Sequence, residues 1–181
     1  MKKKTYILDT NVYGEILIEK NSEEIIGKVN MDKSLFICGL NIIERELENT
    51  PIEIKYQDKL LKEAILSTYK LLIDESIKLF PLAEHLSKEY FKKFNELRKS
   101  GKYYKSLEPK IKKYTEEDLK IDFEIIAIAS LKNIDIVVST DKRTMLSEIA
   151  KETYNNVNKI NNLRTPNLIK YSEFIGRYKN G

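Results

Sequence analysis

Residues 6–12 read Tyr-Ile-Leu-Asp-Thr-Asn-Val, and they contain the first strand-to-helix junction of the chain. The residues before Asp9 complete a mostly apolar run from residue 4, which has the length of a buried β-strand. Apolar residues recur at helical spacing from Val12 to Lys20, so Asp9 stands where a strand passes into a helix. A strand that leads directly into a helix is the first half of a βαβ unit, the connection that neighbouring parallel strands require.

The same alternation continues along the chain. Further strands are predicted at residues 35–38, 77–80, 134–139 and 168–171. Helices are predicted at residues 12–20, from 21, from 41, 56–73, 82–99, 116–132, 142–154 and from 172. Gly39 is expected to end the second strand and Pro81 the third. The pattern predicts an α/β protein with a central parallel sheet of four to five strands, covered by helices on both faces in a single domain, residues 1–181.

The composition is that of a charge-rich globular domain. The 181 residues are 41% hydrophobic and 33% charged, which is enough to bury a core. No stretch approaches the ~20 apolar residues that span a membrane, and the short apolar run after Met1 argues against a signal peptide. The single cysteine, Cys38, excludes an intrachain disulfide and fits a cytoplasmic protein. The single histidine, His85, argues against a zinc site or a histidine-dependent hydrolase triad.

Four acids stand at junctions of this pattern. Asp9 follows the first strand, Glu46 lies on the helix from residue 41, Asp122 leads an Ile- and Ala-rich helix, and Asp141 follows residues 134–139. Functional groups collect at the carboxyl ends of parallel strands, so we expect these acids to meet in one cleft, where their oxygens suit Mg²⁺ or Mn²⁺. Each acid also has a plainer interpretation, as a helix cap or as part of a solvated helix face.

The motifs around these acids resemble those of the PIN-domain nucleases. The matching strings are Leu-Asp-Thr-Asn at residues 8–11, Asp-Phe-Glu-Ile-Ile-Ala-Ile-Ala at residues 122–129, and Ser-Thr-Asp at residues 139–141. Their order and spacing fit the family across essentially the whole chain. Each motif is weak alone, and the specificity comes from finding all of them in order.

The second acid of the family motif has two candidates. Counting from Cys38, where many family members carry serine, favours Glu44. Glu46, followed by Leu47 and then by Thr-Pro at residues 50–51, resembles the Glu-Leu ending of an archaeal-type branch of the family. Residues two apart do not share a helix face, so we expect one of them to face the aspartates and the other to face solvent. We prefer Glu46 for the site.

The resemblance implies a three-layer α/β/α sandwich and metal-dependent hydrolysis of phosphodiester bonds, usually in RNA. The implied metal ligands are Asp9, Asp122 and Asp141, with Asp9 and Asp122 in direct contact and Asp141 and Glu46 completing one or two sites through water. The side chains expected to hydrogen-bond these carboxylates are Thr10, Asn11, Ser139 and Thr140. Both a toxin of a toxin–antitoxin pair and an RNA-processing enzyme fit. A toxin would bind an antitoxin protein, and a homodimer is compatible with either.

A basic, helical insertion is predicted around residues 56–114. Residues 88–113 carry ten Lys and Arg against three acids, a local charge of +7 in a chain of net charge +4, which is typical of a nucleic-acid partner. Tyr90 and Phe94 fit the buried face of the helix at 82–99. Lysines beside tyrosines further on suit single-stranded RNA. The residues expected to contact RNA are Lys102, Tyr103, Tyr104, Lys105, Lys110, Lys112 and Lys113.

Two other functions remain open on the sequence. A PIN-like chain can be a non-catalytic RNA-binding module, although all four acid positions are filled here. A phosphatase or phosphotransferase could use Asp9 as a nucleophile, but that chemistry commonly needs a second aspartate two residues on, where this chain has Asn11.

Overall fold

The computed structural model describes residues 3–51, 54–56, 59–104 and 113–179. The strands, in chain order, are β1 Lys4–Leu8, β2 Leu35–Leu40, β3 Lys55–Tyr56, β4 Lys59–Leu60, β5 Glu75–Ile77, β6 Ile136–Ser139 and β7 Asn167–Lys170. A five-stranded sheet has the order β5-β2-β1-β6-β7, and β3 and β4 form a separate antiparallel pair. Strand β1 pairs in parallel with β2 and β6, and β2 with β5. The predicted α/β class and central parallel sheet are confirmed.

Helices follow most of these strands. In chain order they are α1 Thr10–Ile18, α2 Ser22–Met31, α3 Asn41–Glu48, α4 Leu61–Leu72, α5 Pro81–Lys99, α6 Gly101–Tyr104, α7 Glu116–Leu131, α8 Glu148–Ile160 and α9 Tyr171–Lys179. Helix α7 begins where the sequence predicts, because Thr115 and Asp118 form a reciprocal capping box. None of the helices in the described ranges is long and apolar enough to cross a membrane.

The chain divides into two compact units. The first comprises Met1–Lys78, Asp135–Thr140 and Ile169–Gly181, and the second comprises Leu79–Ile134 and Asp141–Leu168. The first therefore contains β1, β2, β5 and β6 with helices α1 to α4 and α9, and the second contains α5 to α8. A single domain over residues 1–181 with a basic insertion around 56–114 stays a prediction.

In the first unit, β1 lies at the centre of the sheet between β2 and β6. Tyr6, Ile7 and Leu8 are almost completely buried. Asp135, just before β6, accepts hydrogen bonds from the backbone N–H and the hydroxyl of Thr5, both at 2.9 Å. This pair fixes the register in which Leu8 lies beside Val138, so that β1 and β6 end side by side.

Strand β2 corrects one expectation. Gly39 does not end the strand, because β2 continues to Leu40 and Gly39 pairs with Ser76 of β5. A Cβ on Gly39 would lie 2.5 Å from the Tyr69 hydroxyl oxygen, and that hydroxyl donates to the carbonyl of Leu40 at 3.1 Å. Glycine is therefore needed at this position because the phenol of α4 packs directly on the strand.

In the second unit, aromatic rings hold α5, α7 and α8 together. Tyr90, Phe123 and Tyr154 contact one another edge-on with centroids 5.2–6.1 Å apart, and Phe94 packs on Phe123 at 5.8 Å. The Tyr90 hydroxyl donates to Asn158 at 2.6 Å. Tyr90 and Phe94 are thus core residues, as their helical spacing predicts, and this core fixes the helix that carries Asp122.

Several predicted boundaries are wrong for local reasons. The helix predicted at 56–73 begins at Leu61, after the β3–β4 pair. The strand predicted at 77–80 is β5, and Pro81 instead opens α5, where a missing N–H costs nothing. The helix predicted at 142–154 begins at Glu148, because the Ser147 hydroxyl caps it by accepting from Ala150 N–H at 3.3 Å.

Candidate active site

The carboxylate of Asp9 lies at the carboxyl end of β1. Its backbone N–H donates to Val138 O at 2.9 Å, which extends the β1–β6 ladder by one residue. Its two side-chain oxygens have different donors, the Thr10 N–H to Oδ1 at 2.8 Å and the Ser139 hydroxyl to Oδ2 at 2.7 Å. Asp9 is 3% exposed and caps α1. The sheet register thus brings an acid from one strand end to a hydroxyl from the next.

Thr10 connects Glu46 to the carboxylate of Asp9. Its hydroxyl donates to Oε2 of Glu46 on α3, while its backbone N–H donates to Asp9. Thr10 therefore contacts both carboxylates at once. We call Asp9 and Glu46, bridged by Thr10, the first acid pair. The helix dipole of α1 favours negative charge at this position.

Glu44 lies elsewhere on α3. It is half-buried, as Glu46 is, and the expectation that it faces solvent stays a prediction. Burial raises the pKa of the Tyr69 phenol to about 12, and the negative charge of Glu44 adds to that shift, so Glu44 lies within electrostatic reach of Tyr69 on α4. The two glutamates, two residues apart, have different neighbours, and Glu46 is the one that meets Thr10.

Two buried tyrosines lie near Asp9. The Tyr13 and Tyr69 rings meet edge-on with centroids 5.2 Å apart, and both are fully buried. Burial raises the pKa of the Tyr13 phenol well above its ordinary value, and charge on Tyr69 and then on Asp9 raises it further. Asp9 therefore lies close enough to this poorly solvated aromatic pair for its charge to act on Tyr13.

The second unit brings two more acids together. The Thr144 hydroxyl lies within hydrogen-bonding distance of Oδ2 of Asp122 and also of Oδ2 of Asp141. The other oxygen of Asp141 accepts from the backbone N–H groups of Arg143 at 2.7 Å and Thr144 at 2.9 Å. We call Asp122 and Asp141, bridged by Thr144, the second acid pair. A hydroxyl has one hydrogen, so it can serve only one of the two carboxylates at a time.

The capping interpretation applies differently to each aspartate. Asp9 is a helix cap as well as a candidate ligand. Asp122 is not a cap, because it lies in the second turn of α7, whose cap is Thr115. Asp141 organises a turn of residues 142–146, and its backbone carbonyl accepts from the N–H of Leu146 at 2.9 Å. A capping role therefore cannot explain Asp122.

The other predicted polar residues have separate positions. Ser139 is fully buried and bonded to Asp9. Asn11 is exposed, and both Asn11 and Thr140 line a cleft of about 380 Å³ in the first unit. Thr10 belongs both to this cleft and to the first acid pair.

The candidate ligands for a divalent metal are carboxylates arranged in pairs. Among the described residues, no group of three or more Asp, Glu, His or Cys side chains is arranged to hold a metal ion. Pairs of carboxylates suit Mg²⁺ nonetheless, because this ion usually keeps several waters and is bound through one or two carboxylates. In the second acid pair, two carboxylate oxygens meet at one hydroxyl. A hydrated cation would offset the repulsion between them. These carboxylate pairs suit a metal ion that keeps several water ligands better than one whose ligands all come from the protein.

Two polar residues of the second unit were missed by the sequence reasoning. Thr144 follows Asp141 by three residues, which is the spacing at which an aspartate accepts from a nearby backbone N–H, and this signal could have identified it. Glu124 lies in the Ile-rich part of α7 and is 3% exposed. Burial raises the pKa of its carboxyl, Lys120 opposes the shift, and Glu84 and Glu117 add to it. No sequence pattern distinguishes it from an exposed helix glutamate.

The basic segment is described in part. Lys102 and Tyr103 both bond the carboxylate of Glu152 on α8, and the Lys102 ammonium lies 4.9 Å from the Tyr103 ring centroid. Lys113 is exposed. The predicted RNA contacts that lie outside the described residues, or whose side chains do, are Tyr104, Lys105, Lys110 and Lys112.

Comparison with known proteins gives little further guidance. No family model matches the chain, and no curated protein does. The chain is similar to one chain of the crystal structure of VapBC2 from Rickettsia felis bound to a DNA fragment from their promoter. The likeness covers 92% of this chain and 98% of that chain, at 12% sequence identity and a TM-score of 0.46. It is too distant to assign a family or an activity.

Proposed function

We propose that the chain is a metal-dependent endoribonuclease of the PIN-like type that hydrolyses phosphodiester bonds in single-stranded RNA. The observation that carries the proposal is the pairing of the four motif acids. Each of the two acid pairs is bridged by a threonine. In the second pair, two carboxylate oxygens meet at a single hydroxyl hydrogen, and a bound cation would offset the repulsion between them.

In this proposal, Asp9, Asp122 and Asp141 hold Mg²⁺ or Mn²⁺, and Glu46 acts through water. The bound ion would orient a water, lower its pKa and offset charge on the phosphodiester. The chain's own groups position these ligands. The Ser139 hydroxyl and the Thr10 N–H hold the two oxygens of Asp9, and the N–H groups of residues 143 and 144 hold one oxygen of Asp141.

The finer assignments rest on the sequence motifs. The archaeal-type form of the motif, in which Glu46 is the second acid, is supported by the contact between Glu46 and Thr10. Contact between the basic segment and RNA is supported by its charge and by Lys102, whose side chain is 63% exposed and could exchange Glu152 for a phosphate. A toxin role with an antitoxin partner, a homodimer and a cytoplasmic location are part of the same proposal.

The test is cleavage of an unstructured, end-labelled RNA by the purified chain with Mg²⁺, with Mn²⁺ and with a chelator. We expect the wild-type chain to cut the RNA internally, and only when metal is present. Asp122→Asn should abolish this cleavage, and Glu124→Gln should keep it. Glu124 is the matched control because it lies on the same helix, two residues away. RNA binding without cleavage under any metal would refute catalysis and favour the RNA-binding module.

Expression in growing bacteria tests the toxin role. We expect the wild-type chain to arrest growth and Asp122→Asn to relieve the arrest at equal protein level. Equal growth with both chains would argue for RNA processing instead of a toxin.

A further inference from the structure

Most of the residues that line the cleft of the first unit belong to neither acid pair. It has a volume of about 380 Å³, which lies in the range of small-molecule sites, ~300–1,000 Å³. Residues from α1, α3 and α4 line it, together with Thr50 after α3 and Thr140 just after β6. Ile18 and Ile65 supply apolar walls, and Ile18 is 67% exposed.

A glycine in the middle of α1 lines this cleft. Gly14 has no left-handed backbone conformation, and a Cβ built on it would meet nothing within 4 Å. Neither turn geometry nor close packing therefore requires glycine here, although glycine is less favourable than alanine inside a helix. Its effect is to keep the wall of the cleft flat, so that a ligand can lie against the backbone of α1.

The polar lining indicates which ligand chemistry fits. The polar groups of the lining are the carboxylate of Glu15, half-buried on α1, the amide of Asn11 and the hydroxyls of Thr10, Thr50 and Thr140. Among the described residues that line the cleft there is no Lys or Arg, so the cleft does not suit a phosphate. A neutral, flat group with hydrogen-bond donors at its edge matches apolar walls and an anionic acceptor.

The cleft is continuous with the first acid pair. Thr10 lines the cleft and also donates to Glu46, and Thr140 follows Ser139, which donates to Asp9. A group bound in the cleft would therefore lie beside the carboxylates proposed to act on a phosphodiester. In an RNA substrate, that neighbouring group is the base and ribose of a nucleotide next to the reacting phosphate.

We propose that this cleft binds the base and ribose of one nucleotide of the RNA substrate, with Glu15 accepting a hydrogen bond from the exocyclic amine of the base. This inference rests on the proposed ribonuclease function and adds a base preference to it. Cytosine, adenine and guanine carry such an amine, whereas uracil has none and offers only its ring N3–H, flanked by two carbonyl oxygens that a carboxylate repels. The cleft therefore favours the three amine-bearing bases over uracil.

The first experiment fills the cleft. Gly14→Leu places a side chain in it, and Gly27→Leu is the matched control, because Gly27 is a half-buried glycine inside α2 whose Cβ also would meet nothing within 4 Å. Affinity for cytidine hexanucleotides is measured with the full chain in a chelator, alongside thermal unfolding. We expect Gly14→Leu to bind about tenfold more weakly and Gly27→Leu to match the wild type, with neither variant unfolding earlier.

The second experiment removes the acceptor. We expect the wild type to bind cytidine hexanucleotides about tenfold more tightly than uridine hexanucleotides, and Glu15→Gln to lose most of that ratio, because glutamine can also donate to uracil. Glu23→Gln, an exposed position on α2, controls for the loss of one negative charge and should keep the ratio.

The outcomes separate the two proposals. Equal RNA affinity of Gly14→Leu and Gly27→Leu would overturn the cleft inference whether or not the wild type cleaves RNA. An equal preference for cytidine and uridine in the wild type would overturn the role of Glu15. A chain that loses RNA affinity in Gly14→Leu but shows no metal-dependent cleavage would support the cleft inference and overturn only the ribonuclease proposal.

Discussion

The two acid pairs are held in different ways. In the first, each oxygen of Asp9 has its own donor, one from Thr10 N–H and one from Ser139, and Asp9 caps a helix at the end of a central strand. In the second, Asp122 and Asp141 share the Thr144 hydroxyl, and Asp122 caps nothing. An acid whose oxygens have separate donors can serve the fold and a ligand together. In the second pair, one oxygen of Asp141 also has backbone donors, but the Oδ2 atoms of Asp122 and Asp141 meet at one hydroxyl, where a bound cation would offset their repulsion.

The largest effect is expected at Asp122. Asp122→Asn should lower metal-dependent RNA cleavage on the order of a thousandfold, because it removes a proposed direct ligand whose metal supplies several kcal/mol of transition-state stabilisation. The metal-free variant should be as stable as the wild type or slightly more stable, because repulsion within the second acid pair is relieved. The measurements are cleavage rates with Mn²⁺ and denaturant midpoints in a chelator. Lower stability with intact cleavage would make Asp122 a structural residue.

The next effect compares two glutamates on one helix. Glu46→Gln should lower cleavage about a hundredfold, because Glu46 is proposed to act through water and its contact with Thr10 holds it beside Asp9. Glu44→Gln is the matched control and should retain nearly full activity, since Glu44 lies near Tyr69. Initial rates on one RNA at saturating metal decide between them. The reverse order would make Glu44 the second acid.

The sheet and its long helices were predictable from the sequence because their signals are local. Apolar runs at residues 4–8 and 136–138 and the capping box at Thr115 each depend on neighbours in the chain. Features set by distant residues were not predictable. Gly39 looks like a strand breaker until Tyr69 is seen packed on it. Predicting where α8 begins required the turn that Asp141 organises with Thr144.

The acids themselves were visible in the sequence, but their surroundings were visible only in part. Thr10 and Ser139 could be named because they adjoin an acid or a strand end. The role of Thr144 is not visible in the sequence, because the pattern predicts a helix over residues 142–154 where the structure forms a turn at 142–146. Glu124 was overlooked because burial depends on what packs around α7, which its own helical pattern does not reveal.

A smaller effect, on stability, is expected at Ser139. Ser139→Ala removes one donor from the buried, charged carboxylate of Asp9 and should lower the free energy of unfolding by roughly 1–3 kcal/mol. The next residue, Thr140, is only half-buried, so Thr140→Ala should change the free energy of unfolding by less than ~0.5 kcal/mol. Chemical denaturation of the metal-free proteins measures both. Equal denaturation midpoints for the wild type and Ser139→Ala would mean that the hydrogen bond from Ser139 to Asp9 does not stabilise the fold.

The smallest effect is expected at Glu124, the buried acid that belongs to neither pair. Burial raises the pKa of its carboxyl above the ordinary value of 4.5, so the folded protein binds this proton more tightly than the unfolded chain does. Its contribution to stability therefore falls as pH rises from about 4.5 through the folded pKa, and stays low at neutral pH. Glu124→Gln should raise the free energy of unfolding at pH 7 by on the order of 1 kcal/mol.

That gain should shrink as the pH falls toward 4.5, because the carboxyl becomes protonated first in the folded protein and then also in the unfolded chain. Thermal midpoints of both proteins between pH 4.5 and 8 measure it, with RNA cleavage recorded at neutral pH. Cleavage should be unchanged, because Glu124 contacts neither acid pair in the described hydrogen bonds. A gain that grows on acidification would contradict the raised pKa. Lost cleavage would show that α7 carries a second functional acid, and the contrast between Asp122 and its buried neighbour would no longer hold.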